Sequence, residues 1–268
     1  MKRKARRTKK HSKLAKCLNF VKQTTKGALT VFLCIAAILL TGLAGDMVHS
    51  KYIEHYIGQN SLYIQSMPDS KEQGSGTAFQ VVAPSGKKYI LSNAHVCELR
   101  NDKDMVMIYD KKNSHRLMPR RVIEVYQKHD LCLIEALPGY PGLEIADSLS
   151  IGEPIIAIGY PLGDAMNISR GRVKDFSFIN LLAYKPLEEC TGENESVQKI
   201  PFFIFYIDAC VVTYSSVQTD LVIFGGNSGS PVVNMFGNVV AVIFAGNTRT
   251  NWGSAVPLDH VKEFLKGY

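Results

Sequence analysis

Apolar residues in this chain come mostly in short runs: "TAFQVVA", "KYILSNA", "MVMIYD", "RVIEVYQ", "LCLIEAL", "PIIAIGY", "FFIFYIDACVV", "PVVNMFG" and "NVVAVIFAG". Gly, Pro, Asn, Asp or charged residues separate them. Runs of this length and spacing predict β-strands, and many short strands with turn signals between them predict a sandwich or barrel. Only the final stretch, "PLDHVKEFLKGY", has helical spacing, with Leu258, Val261 and Leu265 on one face and Pro257 near its start. Residues 46–73 are mixed and polar without strong periodicity and read as a connector. The pattern predicts an all-β domain closed by a C-terminal helix, with no internal repeat.

One run is different in kind. Residues 27–45, "GALTVFLCIAAILLTGLAG", hold nineteen residues without a charge, close to the roughly 20 that a helix needs to cross a bilayer. They predict a transmembrane helix. Residues 1–26 before it carry eleven Lys/Arg and no acid. The formal net charge of +7 therefore comes from this tail, and the remaining residues have 20 basic and 24 acidic side chains, a net of −4. Basic residues on the N-terminal flank predict a cytoplasmic N-terminus, with everything after Asp46 on the other side. A cleaved signal peptide is the rival, since "GLA" ending at Ala44 fits a small-x-small cleavage site. The tail can contact anionic lipid headgroups and also sets topology, so no nucleic-acid partner is needed to explain it.

With 268 residues, 46% of them apolar, the chain can bury a sizeable core. Of its six cysteines, Cys17 and Cys34 fall in the tail and the apolar run, leaving Cys97, Cys132, Cys190 and Cys210. Their spacings match no zinc pattern. Cys132 lies in an alternating apolar run and reads as a small core residue rather than half of a bridge. Cys190 and Cys210 could pair in an oxidising compartment. Asn167 and Asn194 each stand in an Asn-x-Ser sequon.

Three residues invite chemistry. His95, in "LSNAHVC", stands where an apolar strand ends in small residues, so its ring could project into a cleft. Asp130, in "KHDLCLIEA", heads an apolar strand, where a carboxylate is costly to bury unless it is paired. Ser228 lies in "FGGNSGSP", whose glycines allow the backbone N–H groups of Gly226 and Ser228 to converge on a developing oxyanion. Each alone has a plainer reading: a structural histidine, a turn or cap aspartate, a surface turn. Together they supply a nucleophile, a base and a group to orient the base.

The order His, Asp, Ser is that of the chymotrypsin type of triad, and "QTDLVIFGGNSGSP" resembles the nucleophile loop of HtrA/DegP-type serine proteases. "GSGTAFQV", "YILSNAHV", "DLCLIEA", "GEPIIAIGYPLG" and "GSAVPLDHVKEFL" resemble further segments of that family, in the same order, over residues 74–265. The resemblance implies two six-stranded antiparallel β-barrels, at 74–148 and 149–268, with His95 and Asp130 from the first and Ser228 from the second. It implies hydrolysis of peptide bonds through an acyl-enzyme without metal or organic cofactor, on protein or peptide substrates, and is compatible with a homo-oligomer.

The chain departs from the family in three places. Ser230 stands where the family has Gly and is the runner-up nucleophile. The segment between Gly171 and Gln218 is longer than its counterpart, with "LEECTGENES" and "PFFIFYIDACVV" inside it. The chain stops after the final helix, with no counterpart of the PDZ domains that many HtrA-type proteases carry. By alignment with the chymotrypsin family, Val222, Ile223, Phe244, Ala245 and Gly246 line the pocket for the residue before the cut. No carboxylate stands at its base, so cleavage after small or medium aliphatic residues is expected. The rival from another class is a catalytically silent binding or chaperone-like module on the same fold.

Overall fold

The computed structural model describes residues 48–49, 51–163, 165–183, 185–203, 205–247 and 252–268. The expected transmembrane run at 27–45 and the basic tail lie outside them. Among the described residues, no helix is long and apolar enough to cross a membrane. Two compact units divide the chain, Met1–Tyr52 and Ile53–Tyr268, and every described strand belongs to the second.

Six strands close the first barrel in the order β1-β2-β3-β6-β5-β4. They are β1 (Ser61–Gln65), β2 (Ser75–Val82), β3 (Lys88–Ser92), β4 (Met105–Asp110), β5 (Arg116–Tyr126) and β6 (Leu131–Glu135). In β4 the sequence alternation becomes burial, with Val106, Ile108 and Asp110 pointing inward. Leu62, Ile64, Ala78, Ile90 and Ile134 fill the interior beside them. Buried Asp110 is satisfied by the Tyr140 hydroxyl and the Asn113 amide, both of which donate to it. Closure removes the free edges at which a sheet of such apolar strands would otherwise pair with another chain.

The second sheet runs β13-β12-β11-β7-β8-β10-β9, and β13 also pairs with β10. Its members are β7 (Pro154–Gly159), β8 (Asn167–Ala183), β9 (Glu195–Phe202), β10 (Phe205–Thr219), β11 (Pro231–Val233), β12 (Val239–Asn247) and β13 (Trp252–Pro257). The β13–β10 pairing, Val217 opposite Ala255 to Thr219 opposite Gly253, returns the sheet on itself through six strands. β9 is left outside the ring, hydrogen-bonded to β10 alone. β8 and β10 outrun the ring, pairing from Val173–Thr219 up to Ala183–Cys210, so a three-stranded ribbon with β9 projects from it.

The structure corrects the sequence reading in three ways. Residues 51–60, expected to be connector, are helical (α1). Its Ile53 and Ile57, four apart and on one face, are 2% and 0% exposed in a cluster with Phe79, Leu133, Ile158, Val242 and Phe264. Two further helices follow, the four-residue α2 (Ala94–Cys97) and the C-terminal α3 (Leu258–Leu265), and the cluster draws on both barrels and on α3. Second, the first barrel begins at Ser61 and not at residue 74. Third, Cys132 is buried as expected and is also bridged, to Cys97. Cys190 pairs with Cys210.

If α1 belongs to the core, Ile57→Ala leaves a cavity at a fully buried position and should lower unfolding stability by about 2–5 kcal/mol. Denaturant unfolding measures it. A change near zero would return these residues to the connector.

Candidate active site

β3 delivers the chain at Ser92 into α2 through extended Asn93. His95 on α2 keeps its side chain 45% exposed while its neighbours Ala94, Val96 and Cys97 are buried. Asp130 follows a single 3-10 turn, Gln127–His129, and has φ +52°, a left-handed backbone that Asp tolerates better than most side chains. That conformation lets the chain turn into β6 with the carboxylate directed at α2. The Asp130 side chain is only 5% exposed.

His95 Nδ1 lies 2.8 Å from Asp130 Oδ2 and 3.0 Å from Oδ1. The backbone N–H of His95 also donates to Oδ1 at 3.0 Å, and Asn93 Nδ2 donates to the Asp130 carbonyl at 2.9 Å. The carboxylate is thus held by both the ring and the main chain of the residue it faces, which meets the cost of burying it. Two residues beyond each member the chains are joined again, by the Cys97–Cys132 bridge. Packing around His95 favours its neutral form, but the Asp130 charge and hydrogen bond outweigh it, with a smaller push from Glu98, and the imidazole pKa is raised above its ordinary 6.5.

Ser228 lies between β10 and β11 and is seated from the first barrel. The Thr77 N–H donates to the Ser228 carbonyl at 2.8 Å. The Thr77 hydroxyl donates to the Gly226 carbonyl at 2.8 Å and accepts from the Tyr160 N–H at 2.9 Å. Close approach explains the glycines. At Gly229, φ +84°, a Cβ would collide with the Thr77 carbonyl oxygen and Ser92 Oγ. At Gly226, φ +91°, a Cβ would lie 2.6 Å from Leu162 N and 2.7 Å from Tyr160 O. Asn227 N–H donates to Phe224 O and Gly229 N–H to Ile243 O. Among the described residues, the N–H groups of Gly226 and Ser228 donate to no protein acceptor.

His95 and Asp130 are therefore in direct contact, whereas the Ser228 hydroxyl donates to the Phe244 carbonyl at 3.4 Å rather than to the His95 ring. Gly76, next to Thr77, faces both elements: a Cβ there would meet Val96 of α2 and, at 3.2 Å, the Ser228 carbonyl oxygen. Ser230 is 1% exposed, against Gly159. Of the expected pocket residues, Ile223 lies against Gly246, and against Gly253 at 2.8 Å from a Cβ there. Phe244 is 5% exposed, its ring 5.6 Å from that of Tyr214. Ala245 and Gly246 follow it on β12, and the Val222 N–H donates to Ser169 Oγ. Asp220, the nearest acid along the chain, is engaged by Lys174 and the Arg172 N–H.

The sequence reading missed Thr77, whose chain context marks only a strand, and Tyr214. Burial raises the Tyr214 pKa, and the charges of Asp130 and Glu98 raise it further. No motif signals either residue, since both act through contacts made across the fold.

Residues 74–242 match the trypsin-like peptidase domain family. The chain is 26% identical over 247 residues to a protein named serine protease HTRA2, mitochondrial, from Drosophila persimilis, covering 91% of this chain and 49% of that one. It is 29% identical over 201 residues to a probable periplasmic serine endoprotease DegP-like from Chlamydia pneumoniae, covering 74% and 33%. It thus spans half or less of the length of these relatives. Among solved structures, the active form of the Rv3671c protease from M. tuberculosis superposes with a TM-score of 0.59 at 19% identity, over 80% of this chain and 82% of that one. That likeness concerns the fold, and the family match covers most of the chain: the protein belongs to the trypsin-like peptidase domain family.

Proposed function

We propose that the chain is a serine endopeptidase in which Ser228 is the nucleophile, His95 the general base and Asp130 the group that orients it. The observation that carries this reading is the two-oxygen contact of buried Asp130 with His95 Nδ1. A neutral imidazole with its Nδ1 hydrogen on Asp130 must present a lone pair at Nε2, which is the tautomer a base requires. In the reacting state the Ser228 hydroxyl must leave the Phe244 carbonyl and donate to that nitrogen. Catalytic hydrogen bonds are often long or unmade before substrate arrives.

Ser228 Oγ then attacks the scissile carbonyl carbon as its proton passes to His95 Nε2. The oxyanion is received by the N–H groups of Gly226 and Ser228, both without a protein acceptor. Collapse expels the amine, which takes the proton from His95, and leaves an ester on Ser228. Water attacks that ester with His95 again as base, releasing the acid and restoring the serine. Ser230 is no rival in this reading, because it is buried.

The substrates are proteins or peptides. Ile223 packed on the glycines of β12 and β13 puts an apolar side chain beside Ala245 and Gly246, which suits small or medium aliphatic side chains. With Asp220 already paired, a Lys or Arg side chain there would have no counter-charge. Residues 27–45 tether the domain to a membrane, with the N-terminus cytoplasmic. The packed unit starts at Ile53, so only seven residues, 46–52, separate it from the apolar run.

Three measurements test this reading. A fluorophosphonate probe should label the full chain and Ser230→Ala but not Ser228→Ala, and peptide cleavage should fall about 10⁴-fold or more in Ser228→Ala. An unlabelled, folded wild type would instead favour a silent module. In a peptide panel, Ala, Val or Leu before the cut should be processed fastest, and a preference for Lys or Arg would refute the pocket assignment. The third concerns pH. Because the folded His95 pKa is raised, its pairing with Asp130 stabilises the fold below the unfolded value near 6.5 and loses that contribution as pH rises through the folded value. The base works only above the folded value, so activity should fall on the acid side of a midpoint higher than 6.5. Asp130→Asn removes the two larger raising causes and leaves packing opposed only by the smaller push from Glu98, so the midpoint of an NMR titration of His95 should fall. An unchanged midpoint would show that Asp130 does not set the state of the ring.

A further inference from the structure

Across the end of β9 and the start of β10 the sequence reads Ile-Pro-Phe-Phe-Ile-Phe-Tyr-Ile at 200–207, eight in succession without a charge, of which residue 204 lies outside the described residues. Burial would be the ordinary fate of such a run, yet Phe203 is 89% exposed, Tyr206 70%, Phe205 53% and Phe202 46%. The Phe202 ring packs on those of Phe203 and Phe205, at 4.9 and 5.6 Å, so the tip's ring contacts are among its own residues. Phe205 and Tyr206 are consecutive in β10, and successive strand residues face opposite sides. Both faces of the hairpin are therefore bare. A protein surface docking on a ribbon covers one face, whereas a fluid apolar medium surrounds both.

The apolar region has a sharp limit. Phe205 pairs with Phe202, Tyr206 with Pro201 and Ile207 with Ile200, and the next pair is Asp208 opposite Lys199. Charge resumes on both strands at the same level, three residues above the start of β10, or about 10 Å at strand spacing. Apolar elements lying at a membrane surface bury about 5–10 Å into the headgroup and acyl boundary. A two-stranded hairpin could go no deeper, because its open edges would leave backbone groups unsatisfied in hydrocarbon. Nearer the ring, the Cys190–Cys210 bridge ties β10 to the segment before β9, holding the hairpin as a stiff projection.

We propose that the tip at residues 200–207 inserts into the interface of a lipid bilayer, as a second membrane contact besides the expected tether. On the tether reading, the uncharged run at 27–45 puts a bilayer on the same chain as the tip. Lys199 and Asp208 cancel at the boundary, so apolar burial and not anionic lipid drives the insertion. Insertion is independent of proteolysis, and it uses the tether reading only to supply the bilayer.

The test uses the full chain with Phe203→Trp, reconstituted in phosphatidylcholine vesicles, with the wild type, whose Trp252 is the single tryptophan, as baseline. Emission added by the new tryptophan should shift to the blue and be lost when the acyl chains carry bromine near the headgroups. Emission at the position seen in water, unaffected by brominated lipid, would overturn the proposal. So would a blue shift that brominated lipid leaves intact and that grows with protein concentration, since the tips would then be meeting one another. Flotation of the chain with the vesicles reports the tether separately. If the chain fails to float, the tether reading fails, and quenching on added vesicles still decides the fate of the tip.

Discussion

The hydrogen bond from the Thr77 N–H to the Ser228 carbonyl, 2.8 Å long, joins a strand of the first barrel to a loop carried by the second. The candidate site depends on this docking, because His95 and Asp130 come from one barrel and Ser228 from the other. The Thr77 hydroxyl strengthens it by holding both Gly226 O and Tyr160 N–H, which lie on the loop and at the end of β7. Ser92 Oγ in turn donates to the Thr77 carbonyl at 2.7 Å. Thr77 is fully buried, so each of these groups would carry a desolvation cost if it were left unmet. The left-handed glycines at 226 and 229 are the local cost of so close an approach, since a side chain at 229 would force the loop off β2 and one at 226 would force it off residues 160–162.

A similar economy governs the acid–base pair. Asp130 is buried, and a carboxylate in that setting must be paired or lose its charge. His95 supplies both a ring nitrogen and a main-chain N–H, so the interaction that satisfies the buried Asp130 side chain also fixes the ring. The bridge between Cys97 and Cys132 ties the two elements together just beyond the pair. The structure therefore fixes the His95–Asp130 pair, at 2.8 Å, more firmly than the Ser228 hydroxyl, whose bond to the Phe244 carbonyl is 3.4 Å long.

Legibility in the sequence followed the source of each element's stability. β2, β3, β4, β6, β7, β11 and β12 bury apolar side chains within the barrels, and their runs stand out in the chain. β8, "NISRGRVKDFSFINLLA", is held largely by pairing with β10 while much of it faces solvent, so its charged and polar residues hid it. β1 and α1 were hidden by polar surroundings, although Ile53, Ile57, Leu62 and Ile64 are their buried large apolar side chains. His95, Asp130 and Ser228 were legible because their chemistry needs particular residue types in particular contexts. Thr77 was not, since its role comes from a hydroxyl placed between a carbonyl and a backbone N–H on segments more than 80 residues away. Cys132 misled because an apolar strand explains a cysteine fully, and only the fold reveals the partner 35 residues earlier.

The segment that departed most from the family pattern is continuous with the site. At one end of the ribbon the tip is bare and apolar, at residues 200–207. At the other, Asn194 Nδ2 donates to the Lys128 carbonyl at 3.4 Å, and Glu193 pairs with the Lys128 ammonium at 3.1 Å, on the 3-10 turn that leads into Asp130. These surface contacts are individually weak, and what gives them direction is β10. It runs from Phe205 at the tip through Cys210, past Tyr214 against Phe244, to Thr219 in the ring. An insertion that served only to lengthen a loop would need neither a bridge nor a continuous strand. A continuous strand with an exposed apolar end, linked at Thr213 through Asn194 to the turn that precedes Asp130, would hold the candidate site at a fixed distance from a surface that the tip entered.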